Sequence, residues 1–331
     1  MKSGWIVFAA LVASQNQSPR PLGEWSRSRL AFQNLNIDES GNPGGYAPRR
    51  SLSNPFFVFN NGVKDEHYDT PEEQVRLAKE AGFKDMEKNG LDQLPETLRA
   101  LDANGLKLRA MYVNVDLDNP QQPYDPRLRS AFEAIRGRGT MPWFYLTSKK
   151  YPPSSAENDS VAVSILRKIA ALADQYGVRI MVYPHLNYWL ESVQDGLRVV
   201  EKVDRPNVGM TFNLCHFLAH RARRGQPESL ASLIRRSTPR VFAISLNGAD
   251  STAQDPNDPW ASFIKPLGEG NFDTYQYLKA FLDAGFRGPV GLQCYAIREE
   301  KPTHLRQSIR AWQAFQTRYR TEKTKGPAAP R

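Results

Sequence analysis

The sequence is short of several things, and each shortage removes a class of protein. It has two cysteines in 331 residues, Cys215 and Cys294, too few for a disulfide framework and in no Cys-rich metal spacing. Both fall in apolar segments and read as buried thiols. The apolar run near the N-terminus, Trp5 to Ala13, is far below the roughly 20 residues that cross a bilayer, so no membrane span is expected. No glycine-rich phosphate loop follows the first predicted strand, which argues against a doubly wound nucleotide-binding sheet. The net charge of +9 is not gathered into one stripe. Basic residues are scattered, with small clusters at Arg221, Arg223, Arg224 and at Arg235, Arg236. They read as solvated helix faces, and no nucleic-acid partner is expected.

What is present is ordinary in bulk and specific in detail. A hydrophobic fraction of 40% and a charged fraction of 24% suit a globular protein with a large core. Residues 1–14 have the shape of a short secretory signal, with Lys2 before the apolar run and Ala13 or Ser14 as a small cleavage residue. That predicts export, for example to a periplasm. A mis-assigned start codon would give the same stretch, and the protein would then be cytoplasmic. Residues 15–54 hold no sustained period and are rich in Ser, Arg, Asn, Pro and Gly, which predicts an irregular arm. The folded unit is expected over 55–320, and 321–331 is read as a disordered tail.

From Pro55 the chain alternates strand and helix. FFVFNNGV, FKDME, LKLRAMYVNVDL, MPWFYLTS, VRIMVYPHL, VGMTFNLCHFL, VFAISLNGAD and PVGLQCYA are the eight strand segments. Between them lie helical stripes, such as Val161, Ile165, Ile169, Leu172 and Ala173. Thr70-Pro71-Glu72-Glu73 combines an N-cap threonine, a proline at the first helical position and a capping-box glutamate. The strands are continuous apolar runs, as expected for strands buried on both faces. The predicted fold is α/β, a single (β/α)8 TIM barrel with an irregular N-terminal arm.

Chemistry in such a barrel sits at the C-terminal strand ends. Those ends supply Asn60 and Asn61, then Glu87, Tyr112, Asn114 and Asp116. Trp143, Tyr145, Tyr183 and His185 follow, and then Asn213, His216, Ser245, Asn247, Gln293 and Tyr295. Amides and imidazoles that bond hydroxyls, beside aromatic faces that stack on C–H surfaces, suit a polyhydroxylated ligand. Glu87 and Asp116 are the well-placed carboxylates. His185 and His216 come from adjacent strands and can converge. His67 and His304 lie outside the strand ends. Each of these residues also has a structural role open to it: a histidine can hold a loop carbonyl, and Tyr112, Trp143 and Tyr145 can pack the barrel mouth.

The segments YPHLNYW, VGMTFNLCHFL, ISLNGAD, PLGEGNFD (Pro266 to Asp273) and PVGLQCY resemble those of the xylose isomerase-like TIM barrels. These include sugar (phosphate) isomerases and epimerases and, more distantly, a type of DNA-repair nuclease. The resemblance implies one divalent metal held by Glu, Asp, His and Glu from four late strands, the glutamates also moving the proton beside a carbonyl. Carried over by motif, those ligands fall at Tyr183, Asn213, Ser245 and Gln293, all neutral, while His185 and His216 are kept. Four neutral side chains offer no formal charge to a hard divalent cation, and the two-glutamate proton shuttle has lost its bases. Five histidines cannot furnish a three-zinc nuclease centre either.

Two functional expectations follow. One is a sugar (phosphate) isomerase or epimerase-like enzyme acting on a small carbohydrate by altered or metal-independent chemistry. It would use His185 or His216 as the base, with Glu87 or Asp116 assisting, and Tyr183, Asn213, Asn247, Gln293, Trp143 and Asp116 for substrate binding. The other is a carbohydrate-binding pseudoenzyme of the same fold.

Overall fold

The computed structural model describes residues 51–225, 228–255 and 257–324. Eight parallel strands close on themselves in chain order. They are β1 (Phe56–Val58), β2 (Asp85–Asn89), β3 (Lys107–Asp116), β4 (Met141–Thr147), β5 (Ile180–Val182), β6 (Val208–Asn213), β7 (Val241–Leu246) and β8 (Val290–Leu292). The barrel shuts where Phe57 of β1 lies against Gly291 of β8. The main helices are α1 (Pro71–Ala81), α2 (Leu94–Asn104), α3 (Leu128–Ala134), α4 (Asp159–Asp174), α5 (Val193–Val203), α6 (Leu214–Arg224), α7 (Leu230–Ser237), α8 (Trp260–Phe263), α9 (Thr274–Asp283) and α10 (Lys301–Thr324). This is a single (β/α)8 barrel.

Local sequence accounts for many of these boundaries. Thr70 caps α1 and forms the reciprocal capping box with Glu73, a device that contributes about 1 kcal/mol. Gly82 ends that helix at φ 102°, where a side chain would be strained. Ser192 and Asp195 repeat the box at α5. No helix among the described residues is long and apolar enough to cross a membrane.

The strands separate two packed regions. Alternate side chains, such as Phe56 and Val58, face the helical layer, while Phe57 turns inward. The barrel interior is filled by Phe57, Phe59, Ala110, Trp143, Met181, Tyr183 and Ala243. This interior plug is rich in aromatic rings and forms the floor on which the upper cavity rests.

Two of the glycine-bearing motifs build one loop. Gly248 pairs with Lys265 in an antiparallel bridge, and a Cβ on Gly248 would stand 2.1 Å from the Pro266 carbonyl oxygen. At Gly270, φ is 82° and a Cβ would meet the Ala249 carbonyl oxygen at 2.0 Å. NGAD and PLGEGNFD are therefore a matched pair, docked backbone to backbone.

The structure differs from the strand reading in one consequential place. VGMTFNLCHFL is not one strand: β6 ends at Asn213 and α6 begins at Leu214. A continuous apolar run does not show where the period changes when no Gly or Pro marks the switch. His216 therefore stands in the first turn of α6, and Cys215 is buried on that helix. At the other end, α10 continues through Thr324. The proposed signal and arm, and 325–331 of the tail, lie outside the described residues apart from positions 51–54.

Candidate active site

A cavity of about 550 Å³ opens at the C-terminal ends of the strands. Its wall takes Asn60 and Asn61 from the turn after β1, Glu87 and Asn89 from β2, Tyr112 from β3 and Trp143 from β4. The segment after β5 supplies Tyr183, His185, Leu186, Asn187 and Tyr188, and α6 supplies His216. Trp260, Ile264, Gln293 and Tyr295 complete it.

Glu87 is the acidic residue of this wall. Its side chain is buried, and Oε2 accepts the Asn60 backbone N–H at 2.7 Å. Burial raises its pKa from 4.5 to about 7, against the smaller pull of that N–H and of Lys88. The buried Trp143 indole also favours the anion slightly, although its N–H has no partner within normal hydrogen-bond geometry. A carboxyl that exchanges its proton near neutrality is suited to general acid–base work.

The two histidines do converge. Their ring centroids are 4.0 Å apart, and His185 also stacks on Tyr188 at 4.0 Å. Burial lowers the His185 pKa to about 4 and drives that of His216 well below its ordinary value. Both imidazoles are neutral at physiological pH. His185 Nδ1 lies 2.8 Å from the Leu186 carbonyl oxygen, so this nitrogen carries the proton and Nε2 is left as an acceptor. His216 Nδ1 is fully enclosed without a partner. Placing the His216 proton on Nε2 spares an N–H from being stranded there and makes Nε2 a donor. These tautomers follow from the surrounding partners.

The four positions expected from family ligands are already committed to one another and to the backbone. Ser245 Oγ donates to Asn213 Oδ1 at 3.1 Å, and Asn213 Nδ2 donates to the Pro184 carbonyl and Thr211 Oγ1. Gln293 Oε1 accepts from Asn61 Nδ2 at 2.5 Å, Cys294 N at 2.9 Å and Tyr295 N at 3.0 Å. The Tyr183 hydroxyl lies near the Gln293 amide, and burial holds its pKa well above 10. Uncharged oxygens of this kind, those of Asn213 and Gln293 already accepting hydrogen bonds, do not fit a divalent cation. Among the described residues no three His, Cys, Asp or Glu side chains group as a metal site would need.

The other expected residues fall in different places. Trp143 is wholly buried, with its indole in the cavity floor. Asp116 is outside the wall; its Oδ1 accepts Asp118 N in the turn after β3. Asn247 is buried behind the wall and donates to the Gly248 and Phe263 carbonyls, holding the β7 loop. Asn213 and Ser245 lie beneath the wall, not on it. Asn89, Asn187, Tyr188 and Trp260 line the cavity without having been singled out. Asn187, Tyr188 and Trp260 come from loops and a short helix, where no strand-end rule points; Asn89 ends β2 two residues beyond Glu87.

With this geometry in view, comparison with known proteins is informative. The sequence profile for xylose isomerase-like TIM barrels matches residues 75–315. The chain belongs to the xylose isomerase-like TIM barrel family. No curated protein matches it in sequence. Among solved structures, this xylose isomerase-like barrel is similar to a fusion of such a barrel with 4-hydroxyphenylpyruvate dioxygenase, with 19% identity and TM-score 0.64 over 84% of this chain. It covers 46% of that fusion protein, less than half its length. It is similar to an L-ribulose 3-epimerase, with 13% identity, TM-score 0.62, and 83% and 99% of the two chains covered. A 3-keto-D-glucoside 4-epimerase from E. coli gives 16% identity, TM-score 0.59, and 78% and 98% coverage. At such identities the likeness establishes the fold.

Proposed function

We propose that this protein is a sugar isomerase/epimerase-type enzyme that moves a proton beside a carbohydrate carbonyl without a divalent metal. The observation that carries this reading is Glu87, a buried carboxyl in the cavity wall with a pKa of about 7, facing a cavity that also holds two neutral imidazoles. In the forward step the Glu87 carboxylate takes the C–H proton next to the substrate carbonyl, and the electron pair moves onto the carbonyl oxygen to form an enediolate. His216 Nε2–H donates to the carbonyl oxygen as negative charge grows there. A neutral imidazole does this without first having to be charged in a dry site. His185 Nε2 accepts a neighbouring substrate hydroxyl. Passage of the neighbouring hydroxyl's proton to the former carbonyl oxygen, with return of the Glu87 proton to the former carbonyl carbon, converts aldose to ketose with no net change in protons.

The test is turnover of an aldose and ketose panel in deuterated water, with and without chelator. Chelator-insensitive conversion, with solvent deuterium appearing at the carbon beside the carbonyl and lost in Glu87→Gln, supports the reading. Complete loss of activity on chelation, or unimpaired activity in Glu87→Gln, overturns it. Binding of sugars with no exchange at any carbon would identify a carbohydrate-binding pseudoenzyme instead.

A further inference from the structure

An arc of rings runs from the depth of the cavity to its mouth. His185 stands between Tyr188 and His216, each ring centroid 4.0 Å away. His216 meets Trp260 edge-on at 5.4 Å, and Trp260 meets Tyr295 edge-on at 6.3 Å. His216, at the middle of the arc, is buried, and the Tyr295 end is open. Tyr295 is 53% exposed, the large hydrophobic side chain most given to solvent among the described residues. About half of this residue's surface is left in solvent, yet its loop is held firmly. Gln293 Oε1 accepts the Tyr295 backbone N–H, and Ala296 beside it has a φ of 59°. An alanine in the left-handed region costs about 1–2 kcal/mol, and such strain gathers at ligand-binding positions. The second mouth tyrosine, Tyr188, follows Asn187, another left-handed residue at φ 70°.

The chemistry of the wall narrows what these rings meet. None of the side chains lining the cavity is a lysine or arginine. The nearby Lys301 ammonium is engaged elsewhere, donating to the Asn61 carbonyl at 3.0 Å and standing 3.9 Å from Asp65. The Arg223 guanidinium at the rim is likewise bonded, to Asn187 Oδ1 at 2.9 Å and to the Asn257 carbonyl, so a phosphoryl group would bring two negative charges beside Glu87 with both of these cations already engaged. The cavity volume of about 550 Å³ lies within the range of about 300–1,000 Å³ that encloses drug-sized ligands, and is more than one hexose ring fills. Aromatic faces at the open end suit the C–H face of a second ring, while the exposed Asn89 amide and the Nδ2 of Asn187, whose Oδ1 accepts from Arg223, can bond its hydroxyls.

We infer that the ligand is an unphosphorylated two-ring saccharide, its reacting ring among Glu87, His185 and His216 and its second ring stacked on Tyr295 and Trp260 at the mouth. This rests on the sugar-enzyme reading above and adds to it a second subsite. The reaction stays balanced, because isomerisation of a reducing-end ring moves one proton between carbons and consumes no co-reactant.

The experiment is calorimetry on the full chain with D-glucose, D-fructose, D-glucose 6-phosphate and the disaccharides maltose, cellobiose and lactose, repeated on Tyr295→Ala and Tyr295→Phe. At least one disaccharide should bind ten-fold or more tighter than its component monosaccharides. Tyr295→Ala should bring that ratio close to one, and Tyr295→Phe, which keeps the ring face, should preserve it. Equal affinity for one and two rings, a ratio unmoved by Tyr295→Ala, or tighter binding of the phosphate ester would each overturn the second subsite while leaving the enzyme reading standing. If no saccharide of either size binds, both fall together.

Discussion

Replacing Glu87 with glutamine tests the chemistry and the electrostatics in one variant. The carboxyl titrates near 4.5 in the unfolded chain and at about 7 in the fold. At about 1.4 kcal/mol per pKa unit, that difference is about 3 kcal/mol against the folded anion. The folded state holds this proton more tightly than the unfolded state, so the group's contribution is fully favourable below about pH 4.5. It is lost as the pH rises to about 7 and is constant beyond that. Glutamine carries no charge and has no such dependence, while its side-chain oxygen can still accept the Asn60 N–H. The difference in unfolding free energy between wild type and Glu87→Gln should therefore change by roughly 2–3 kcal/mol between about pH 5 and pH 8.5, favouring the variant at high pH. Urea unfolding at a series of pH values measures this, and subtracting the two curves cancels every other titrating group. Turnover of the variant should fall about 10²–10⁴-fold, and the limb near pH 7 in the wild-type kcat/KM profile should vanish. Parallel stability curves across this range would show that Glu87 ionises at its ordinary value, and the proton-transfer argument would lose its base.

Other outcomes follow from the same coordinates. His185 should titrate at about 4 by NMR, so its contribution to stability grows as the pH rises from about 4 to 6.5 and is flat above; an imidazole charged at pH 6 would contradict the burial argument. Asn213→Asp should destabilise by about 2–4 kcal/mol, because a carboxylate cannot donate to the Pro184 carbonyl and Thr211, whereas Gln293→Glu, which keeps an acceptor for the same three donors, should cost less; chemical denaturation ranks them, and the reverse order would refute the assigned amide orientations. Gly270→Ala should lower stability by about 2 kcal/mol or more, since the new Cβ meets the Ala249 backbone at 2.0 Å in a left-handed turn; a Tm unchanged from wild type would sink the account of the docked loops.

The barrel was legible because its signals are local and repeated. Pro71 at the first position of α1, the Thr70–Glu73 box and the αL glycine at Gly82 all lie within a few residues of what they control. The convergence of His185 and His216 was also legible, although for a reason the strand pattern did not contain. His216 reaches the cavity from the first turn of α6, and the apolar run through Leu214 carried no mark of that change. Asp116 and Asn247 show what strand position leaves out. The first is spent on a turn and the second on loop carbonyls, partners set by the path of loops that no periodicity describes. Trp260 enters from a four-residue helix in a long connection, where sequence spacing carries no geometry at all.

The neutral side chains at Asn213, Ser245 and Gln293 share one physical consequence. A carboxylate site built around a cation is held open by the ion: the oxygens repel one another and need it between them. Here Asn213 both donates and accepts, Ser245 closes one of its bonds, and Gln293 gathers three N–H groups from Asn61, Cys294 and Tyr295. Amides satisfy one another without a central charge, so the late-strand side of the barrel holds its shape by hydrogen bonds alone. The same Gln293 also anchors the backbone of Tyr295 at the mouth, bracing the rim. The charged group of the cavity wall is on β2, where Glu87 is buried, accepts one N–H and has no basic residue in bonding contact. In the proposed mechanism this carboxyl on β2 is the group that exchanges the substrate proton, and the neutral His185 and His216 after β5 and on α6 bond the substrate oxygens.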